Sequence, residues 1–284
     1  MDKLNNKALT LLELLIAMAI SGLIMSAVYK TFNFQQKNYA SQENVADMQQ
    51  NIRAAMLFMI NDIRMAGYDP MLTNNFGITD IRPRDINNKI QSSIKGYSSI
   101  ELTKDRNEDG ILDSNERILY SVYDYIKTDD NLDMAKKTGG GGRSLFAENI
   151  KGFGLGFAFD DDLDGDLDTY TSNSQNYIIW AIDSDADNDL DTNLDTNKDG
   201  VIDINDALKN QDANTMIEGI ALNKDVDITK IRAVQIWILA STDNPLHKLS
   251  NTKYVVGRYI ITSDSNKKMR LSNQIVNCRN INDN

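Results

Sequence analysis

The chain has 284 residues, with 41 acidic against 30 basic side chains, one histidine and one cysteine. A single cysteine excludes an internal disulfide framework, and Lys267, Lys268 and Arg270 are too small a basic cluster for nucleic-acid binding in a chain of formal charge −11. The acidity is local: Asp160 to Asp206 holds fifteen Asp against Lys198 alone, a net of −14, which leaves the remainder at +3.

From Ala8 to Tyr29 the only charge is Glu13, and a single membrane-crossing helix needs about 20 apolar residues. Lys3 and Lys7 against Asp2 precede this run. The positive-inside bias then keeps the short tail in the cytoplasm and exports everything after Lys30. An ordinary secretory signal fits less well, because its apolar core is shorter and is discarded. Glu13 is the anomaly, since an ionised carboxylate in the bilayer costs about 2.5–3.5 kcal/mol. If the chain is cut between Ala8 and Leu9, the new Leu9 ammonium of a neighbouring, axially shifted helix can meet Glu13, making it an assembly register. The alternative is an uncleaved anchor whose Glu13 snorkels to the interface.

The helix is expected to continue. Residues 31–66 lack Pro and Gly, and Val45, Met48, Ile52, Ala55, Met59 and Ile63 recur at steps of three and four, the stripe of an amphipathic helix. Gly67 is a ready stop and Pro70 forbids continuation. The spacing therefore predicts one helix over 9–66, with 9–29 in the membrane and 30–66 amphipathic, followed by a head over 67–284. After Pro70 the period changes, and 99–103, 117–125, 152–159, 176–182, 231–239 and 254–262 read as strands rich in β-branched and aromatic residues. Gly139 to Gly142 reads as a flexible loop. The fold class is α+β, and no dinucleotide or phosphate-loop glycine pattern follows any strand.

Between these strands lie oxygen-rich loops. Asp105-Arg-Asn-Glu-Asp-Gly-Ile-Leu-Asp-Ser-Asn-Glu116 matches the twelve-residue calcium loop, with side-chain donors at Asp105, Asn107 and Asp109. Gly110 makes the turn, the Ile111 carbonyl follows, Asp113 bridges a water and Glu116 is bidentate. Strand-like flanks predict a calcium loop between two strands, without the paired helices of an EF-hand. The pattern repeats at Asp195, Asn197, Asp199, Val201, Asp203 and Asp206, with Asp in the closing place of Glu. A third loop, weaker because it reaches Thr171 at the closing position, begins at Asp160, Asp162, Asp164 and Asp166; a fourth, Asp183 to Asp189, lacks the glycine. The plain alternative is a set of solvated acidic loops. Repulsion favours an ion, since two unit charges about 4 Å apart cost on the order of 4 kcal/mol at an effective dielectric near 20. His247 stands alone in a polar loop with no Ser, Asp or Cys signature around it, so an enzyme is not expected, nor a small-molecule substrate.

The segment Ala8-Leu9-Thr10-Leu11-Leu12-Glu13, behind a short basic leader and ahead of an apolar helix, resembles the class III signal of type IV prepilins. Ala8 stands where Gly is usual and Leu9 where Phe is most frequent. The resemblance implies a leader over 1–8, cleavage after Ala8 by prepilin peptidase and N-methylation of Leu9. Asn51-Ile-Arg53 and Asp62-Ile-Arg-Met-Ala-Gly-Tyr-Asp-Pro70 are similar to the PilW group of minor pilins, relatives of the J-type minor pseudopilins of type II secretion. A weaker echo occurs at 230–239 and 277–280. The implied fold is type IV pilin-like, a long helix packed on an antiparallel sheet. The implied role is a minor pilin that joins other minor pilins and the major pilin in a priming or tip complex. It would start in the inner membrane with its head in the periplasm and end in the surface pilus. A pseudopilin of type II secretion and a calcium-dependent adhesive module on a pilin stem are the alternatives.

Overall fold

The computed structural model describes residues 10–91, 96–125, 132–207, 216–242, 252–263 and 267–281. The leader, the Ala8–Leu9 junction and His247 lie outside them. The chain divides into two compact units, Met1–Ala46 and Asp47–Asn284, and one helix, α1 (Leu11–Met65), contributes to both. In the first unit Leu11, Leu15, Ile16, Leu23 and Met25 are all exposed on α1, which is long and apolar enough to cross a membrane. From Asp47 onward α1 buries Met48, Ile52, Ala55, Met56, Met59 and Ile63, the stripe that the periodicity predicts. The helix stops one residue earlier than expected. Tyr68 N–H donates to the Met65 carbonyl at 3.1 Å, and Gly67 takes the left-handed φ of 78° that a helix C-terminus favours.

In the second unit this end of the helix packs on an antiparallel sheet, so the fold is α+β as expected. The central sheet runs in the order β1 (Ile78–Asp80), β2 (Ile100–Thr103), β3 (Arg117–Tyr123), β4 (Leu132–Thr138) and β5 (Arg143–Phe159). It continues through β8 (Ala181–Ile182), β9 (Asp189–Asn193) and β10 (Ile220–Asp227), while β11 (Ile231–Ser241) joins β5 to β14 (Met269–Asn277). Two hairpins stand apart, β6 (Thr169–Ser172) with β7 (Gln175–Ile178) and β12 (Lys253–Val256) with β13 (Tyr259–Thr262). Three expectations change here. The stretch 176–182 breaks into β7 and β8, the stretch 254–262 is a hairpin reversing at Gly257 (φ 62°), and the strand expected over 117–125 ends at Tyr123. The four glycines at 139–142 belong to a hairpin turn between β4 and β5, where Gly139 (φ 59°) donates to the Arg117 carbonyl at 2.9 Å.

One polar cluster fixes the helix to the sheet. Asp62 of α1 accepts from Lys136 Nζ (2.6 Å), Tyr120 Oη (2.6 Å) and Lys104 Nζ (3.0 Å). Burial pushes its carboxyl up, but these three donors outweigh burial and hold it below the usual carboxylate range. A carboxylate with a depressed folded value stabilises above its unfolded pKa, about 3.9, and loses that contribution as pH falls through the lower folded value. Asp62→Ala is expected to cost about 2–3 kcal/mol at neutral pH, because it strands a hydroxyl and two partly buried ammonium groups. Thermal melts against pH check this. The gap between wild type and Asp62→Ala narrows only below about pH 4, and a gap independent of acid pH overturns the assignment.

The run Gly152-Phe-Gly-Leu-Gly-Phe157 in β5 shows why strand alternation matters. Phe153, Leu155 and Phe157 are buried on one face. On the other, a Cβ built on Gly154 would lie 2.4 Å from the Val256 carbonyl, and one on Gly156 would lie 3.2 Å from the Trp237 ring. The glycines let β12–β13 and Trp237 lie directly on the strand. Cys278 is a buried free thiol, with burial pushing its pKa up to about 12. Its N–H donates to the Arg232 carbonyl at 2.8 Å, and two residues on Asn280 Nδ2 donates to the Arg64 carbonyl at 3.0 Å. The helix end and the stretch 277–280 thus meet at Gly67, where an added Cβ would lie 2.6 Å from the Asn280 carbonyl oxygen.

Candidate metal centres and the helix cap

The first acidic loop joins β2 to β3, adjacent antiparallel strands, and closes through a short 3-10 turn at Ser114–Glu116. No helix pair flanks it. Asp105 Oδ1 accepts from Glu108 N–H at 2.6 Å and Oδ2 from Gly110 N–H at 2.9 Å. Glu116 closes the loop by accepting from Arg106 N–H at 2.7 Å and Asp113 N–H at 2.9 Å. Asp109 Oδ1 accepts from Ile111 N–H at 2.8 Å. Left-handed φ values of 62° at Glu108 and 70° at Gly110 wrap the chain.

The Asp195 loop repeats this geometry bond for bond. Asp195 accepts from Lys198 N–H (2.8 Å) and Gly200 N–H (2.7 Å), and Asp206 from Thr196 N–H (2.8 Å) and Asp203 N–H (2.8 Å). Asp199 Oδ1 accepts from Val201 N–H at 2.9 Å. The Tyr170 hydroxyl also donates to Asp195, which ties this loop to the β6–β7 hairpin. In each loop the middle amide points among carboxylates: Asn107 Nδ2 donates to Asp109 at 2.9 Å, and Asn197 Nδ2 to Asp199 at 2.9 Å.

The other two loops have the same opening and a different closure. Asp160 Oδ2 accepts from Gly165 N–H at 3.0 Å, and Asp183 Oδ2 from Asn188 N–H at 2.9 Å. Residues four and six of each again have left-handed φ, at Leu163 and Gly165 and at Ala186 and Asn188. Closure comes three residues earlier than the twelve-residue pattern predicts. Asp168 accepts from Asp161 N–H at 2.8 Å, and Asp191 from Ser184 N–H at 3.0 Å. Thr171, expected at the closing position, is instead in β6, where its hydroxyl donates to Asn176 at 2.8 Å. Asp168 and Asp191 are the residues that sequence reasoning missed, and their signal was an Asp at the ninth position. Asn188 substitutes for the absent glycine because its side chain is needed: Oδ1 accepts from Ile81 N–H at 3.0 Å and Nδ2 donates to the Thr79 carbonyl at 3.3 Å.

Carboxylate oxygens of Asp160, Asp162 and Asp164 lie within 4.8 Å of one another, as do those of Asp183, Asp185 and Asp187. In both groups the first residue is buried and the next two are open to solvent. Both can hold a metal ion. Asp105, Glu116, Asp195 and Asp206 are each at most 1% exposed, and none has a basic partner among the described residues. Asp191 Oδ1 is buried with no hydrogen-bond partner among the described residues. Burial, only partly offset by the Asn188 and Ala186 N–H groups and reinforced by the Asp187 and Asp191 charges, pushes Asp183 up to about 6. Buried carboxylates are ordinarily paired or on a metal. The donors are all oxygen, with no His or Cys, which suits a hard cation such as Ca²⁺.

In the first unit Thr10 and Glu13 form a capping box on α1. Glu13 Oε2 accepts from Thr10 N–H at 2.8 Å and Thr10 Oγ1 at 2.9 Å, while Glu13 N–H donates to Thr10 Oγ1 at 3.3 Å. The reciprocal bonds satisfy the first turn and give Glu13 a partner within its own helix. Among the described residues, its Oε1 has none.

No curated protein matches the chain in sequence. Among solved structures it is similar to a type IV-like pilin from Thermus thermophilus, at 10% identity and a TM-score of 0.35, over 82% of this chain and 97% of that one. Residues 3–29 match the prokaryotic N-terminal methylation motif, the stretch that runs through the Thr10–Glu13 cap into the apolar half of α1.

Proposed function

We propose that the chain is a minor pilin: a subunit processed after Ala8, methylated on Leu9 and joined through its helix to other minor pilins and the major pilin. The observation that carries this reading is the methylation motif at 3–29 leading directly into a capped apolar helix that enters a β-rich head. The unprocessed chain sits in the inner membrane with its head in the periplasm, meets prepilin peptidase there, and ends in a surface fibre. Once Leu9 carries a free ammonium, Glu13 Oε1 is the oxygen left for a neighbouring subunit's terminus. In the head, calcium gathers Asp105, Asn107, Asp109, Asp113 and Glu116 with the Ile111 carbonyl. A second ion is held by Asp195, Asn197, Asp199, Asp203 and Asp206 with the Val201 carbonyl. Two shorter loops bind through Asp160, Asp162, Asp164 and Asp168, with the Asp166 carbonyl, and through Asp183, Asp185, Asp187 and Asp191.

Co-expression with a prepilin peptidase and mass spectrometry of the intact product test the reading. The expected product begins at Leu9 and carries one added methyl group, and Ala8→Leu blocks both changes. A product that retains Met1 to Ala8 in the presence of an active peptidase overturns it.

A further inference from the structure

The sheet face turned away from Asp62 carries a cavity of about 280 Å³ that the pilin reading does not use. Its floor is Leu119 of β3, directly between Glu101 of β2 and Lys137 of β4 in cross-strand register. The neighbouring pair Tyr120 and Lys136 faces the other way and holds Asp62. Arg117 lies two residues along from Leu119, Arg84 and Asn88 form the opposite wall, and the Gly139–Gly140 turn edges the opening. Three cations against one carboxylate line this space, in a protein whose formal charge is −11.

The wall is incompletely satisfied. The Lys137 side chain makes no ion pair or hydrogen bond among the described residues, and Arg117 touches Glu101 through a single 3.4 Å contact. Arg84 is held by Asp80 at 2.5 Å through Nη2 and by the Asn88 carbonyl at 3.3 Å through Nη1. Glu101, the one carboxylate among the described lining residues, also accepts from Thr79 Oγ1 at 2.8 Å, so the cations of the cavity are short of an anionic partner. A Cβ on Gly140 would meet nothing within 4 Å, which leaves the opening clear.

We propose that this cavity binds a small hydroxylated carboxylate, a sugar acid. Lys137 and Arg117 take the carboxylate, the hydroxyls donate to Glu101, and Leu119 lies under the apolar face of the ring. Pockets for small ligands have this composition, a limited apolar floor with a few convergent polar groups.

Calorimetric titration of the full-length protein in detergent with glucuronate, beside glucose as the uncharged counterpart, tests it. Glucuronate is expected to bind saturably and glucose not at all. Lys137→Glu is expected to weaken glucuronate at least about tenfold, a factor equivalent to about 1.4 kcal/mol. Lys137→Gln, which removes the charge without reversing it, gives an intermediate loss. Because the Lys137 side chain has no partner among the described residues to lose, both variants are expected to melt with the wild type. Absence of saturable glucuronate heat, equal binding of glucose, or undiminished binding in a normally melting Lys137→Glu protein overturns the assignment.

Discussion

Chelating calcium from the folded protein is expected to lower its melting temperature by about 5–10 °C for each loop that empties. Two terms set that figure. An ion present at about 100 times its dissociation constant stabilises by about 2.7 kcal/mol, and a domain of this size shifts by about 2–4 °C per kcal/mol. The geometry supplies the reason for the sign. Without the ion, Asp105 and Glu116 are buried at 1% exposure or less with backbone amides as their only partners among the described residues, where Asp195 and Asp206 likewise lack any basic side chain. A cation converts that desolvated repulsion into attraction at a point the backbone has already organised. Titration of the stripped protein should return at least two ions. Asp109→Ala and Asp199→Ala are the informative variants, since both residues are exposed and make none of the closing bonds; each is expected to remove one ion. Asp168→Ala and Asp191→Ala do the same for the shorter loops. A melting temperature indifferent to chelation at millimolar calcium would make the four loops solvated turns. The processing experiment would be unaffected by that result, because it depends on Ala8 and Leu9 alone.

How much of this was legible in the sequence depends on how local the determining physics is. Helix α1 was readable because its burial repeats every three to four residues from Met48 to Ile63, and the turns of the Asp105 and Asp195 loops were readable because their spacing is their geometry. One partner of Glu13 went unread: Thr10, three residues earlier, is a capping-box residue visible in the sequence. Among the strands that went unread, β10 and β14 expose most of their residues, so little apolar alternation marks them, and β9 is pinned between acidic loops whose composition hides it. The hairpin at Lys253–Thr262 looked continuous because its Gly257–Arg258 turn is flanked by Val256 and Tyr259, residues that a strand would also carry. Register across the sheet, such as Leu119 between Glu101 and Lys137, is non-local and no single stretch encodes it. The cavity over Leu119 was invisible for that reason.

Gly154→Ala is expected to destabilise the head by about 3 kcal/mol, the upper end of the usual cost of overpacking, and to lower its melting temperature by about 6–12 °C. The new methyl group would sit 2.4 Å from the carbonyl carbon and oxygen of Val256 and 2.5 Å from Gly257 N. These are backbone atoms, so no rotamer change relieves the contact. Either β12–β13 lifts off β5, exposing Val256 and the Trp237 surface beneath it, or β5 bends away from β11 and weakens a ladder that runs from Ile231 to Ala240. Gly152→Ala separates these causes from a general intolerance of side chains in the strand. Its methyl would lie equally close, 2.4 Å, but to Ile261 Cδ1, the end of a flexible side chain that can rotate aside. Gly140→Ala meets nothing within 4 Å and is expected to melt with the wild type. The order Gly154, then Gly152, then Gly140 in severity follows from what each methyl touches. Equal losses at 152 and 154 would mean that β12–β13 is held by its own turn at Gly257 and only rests on β5.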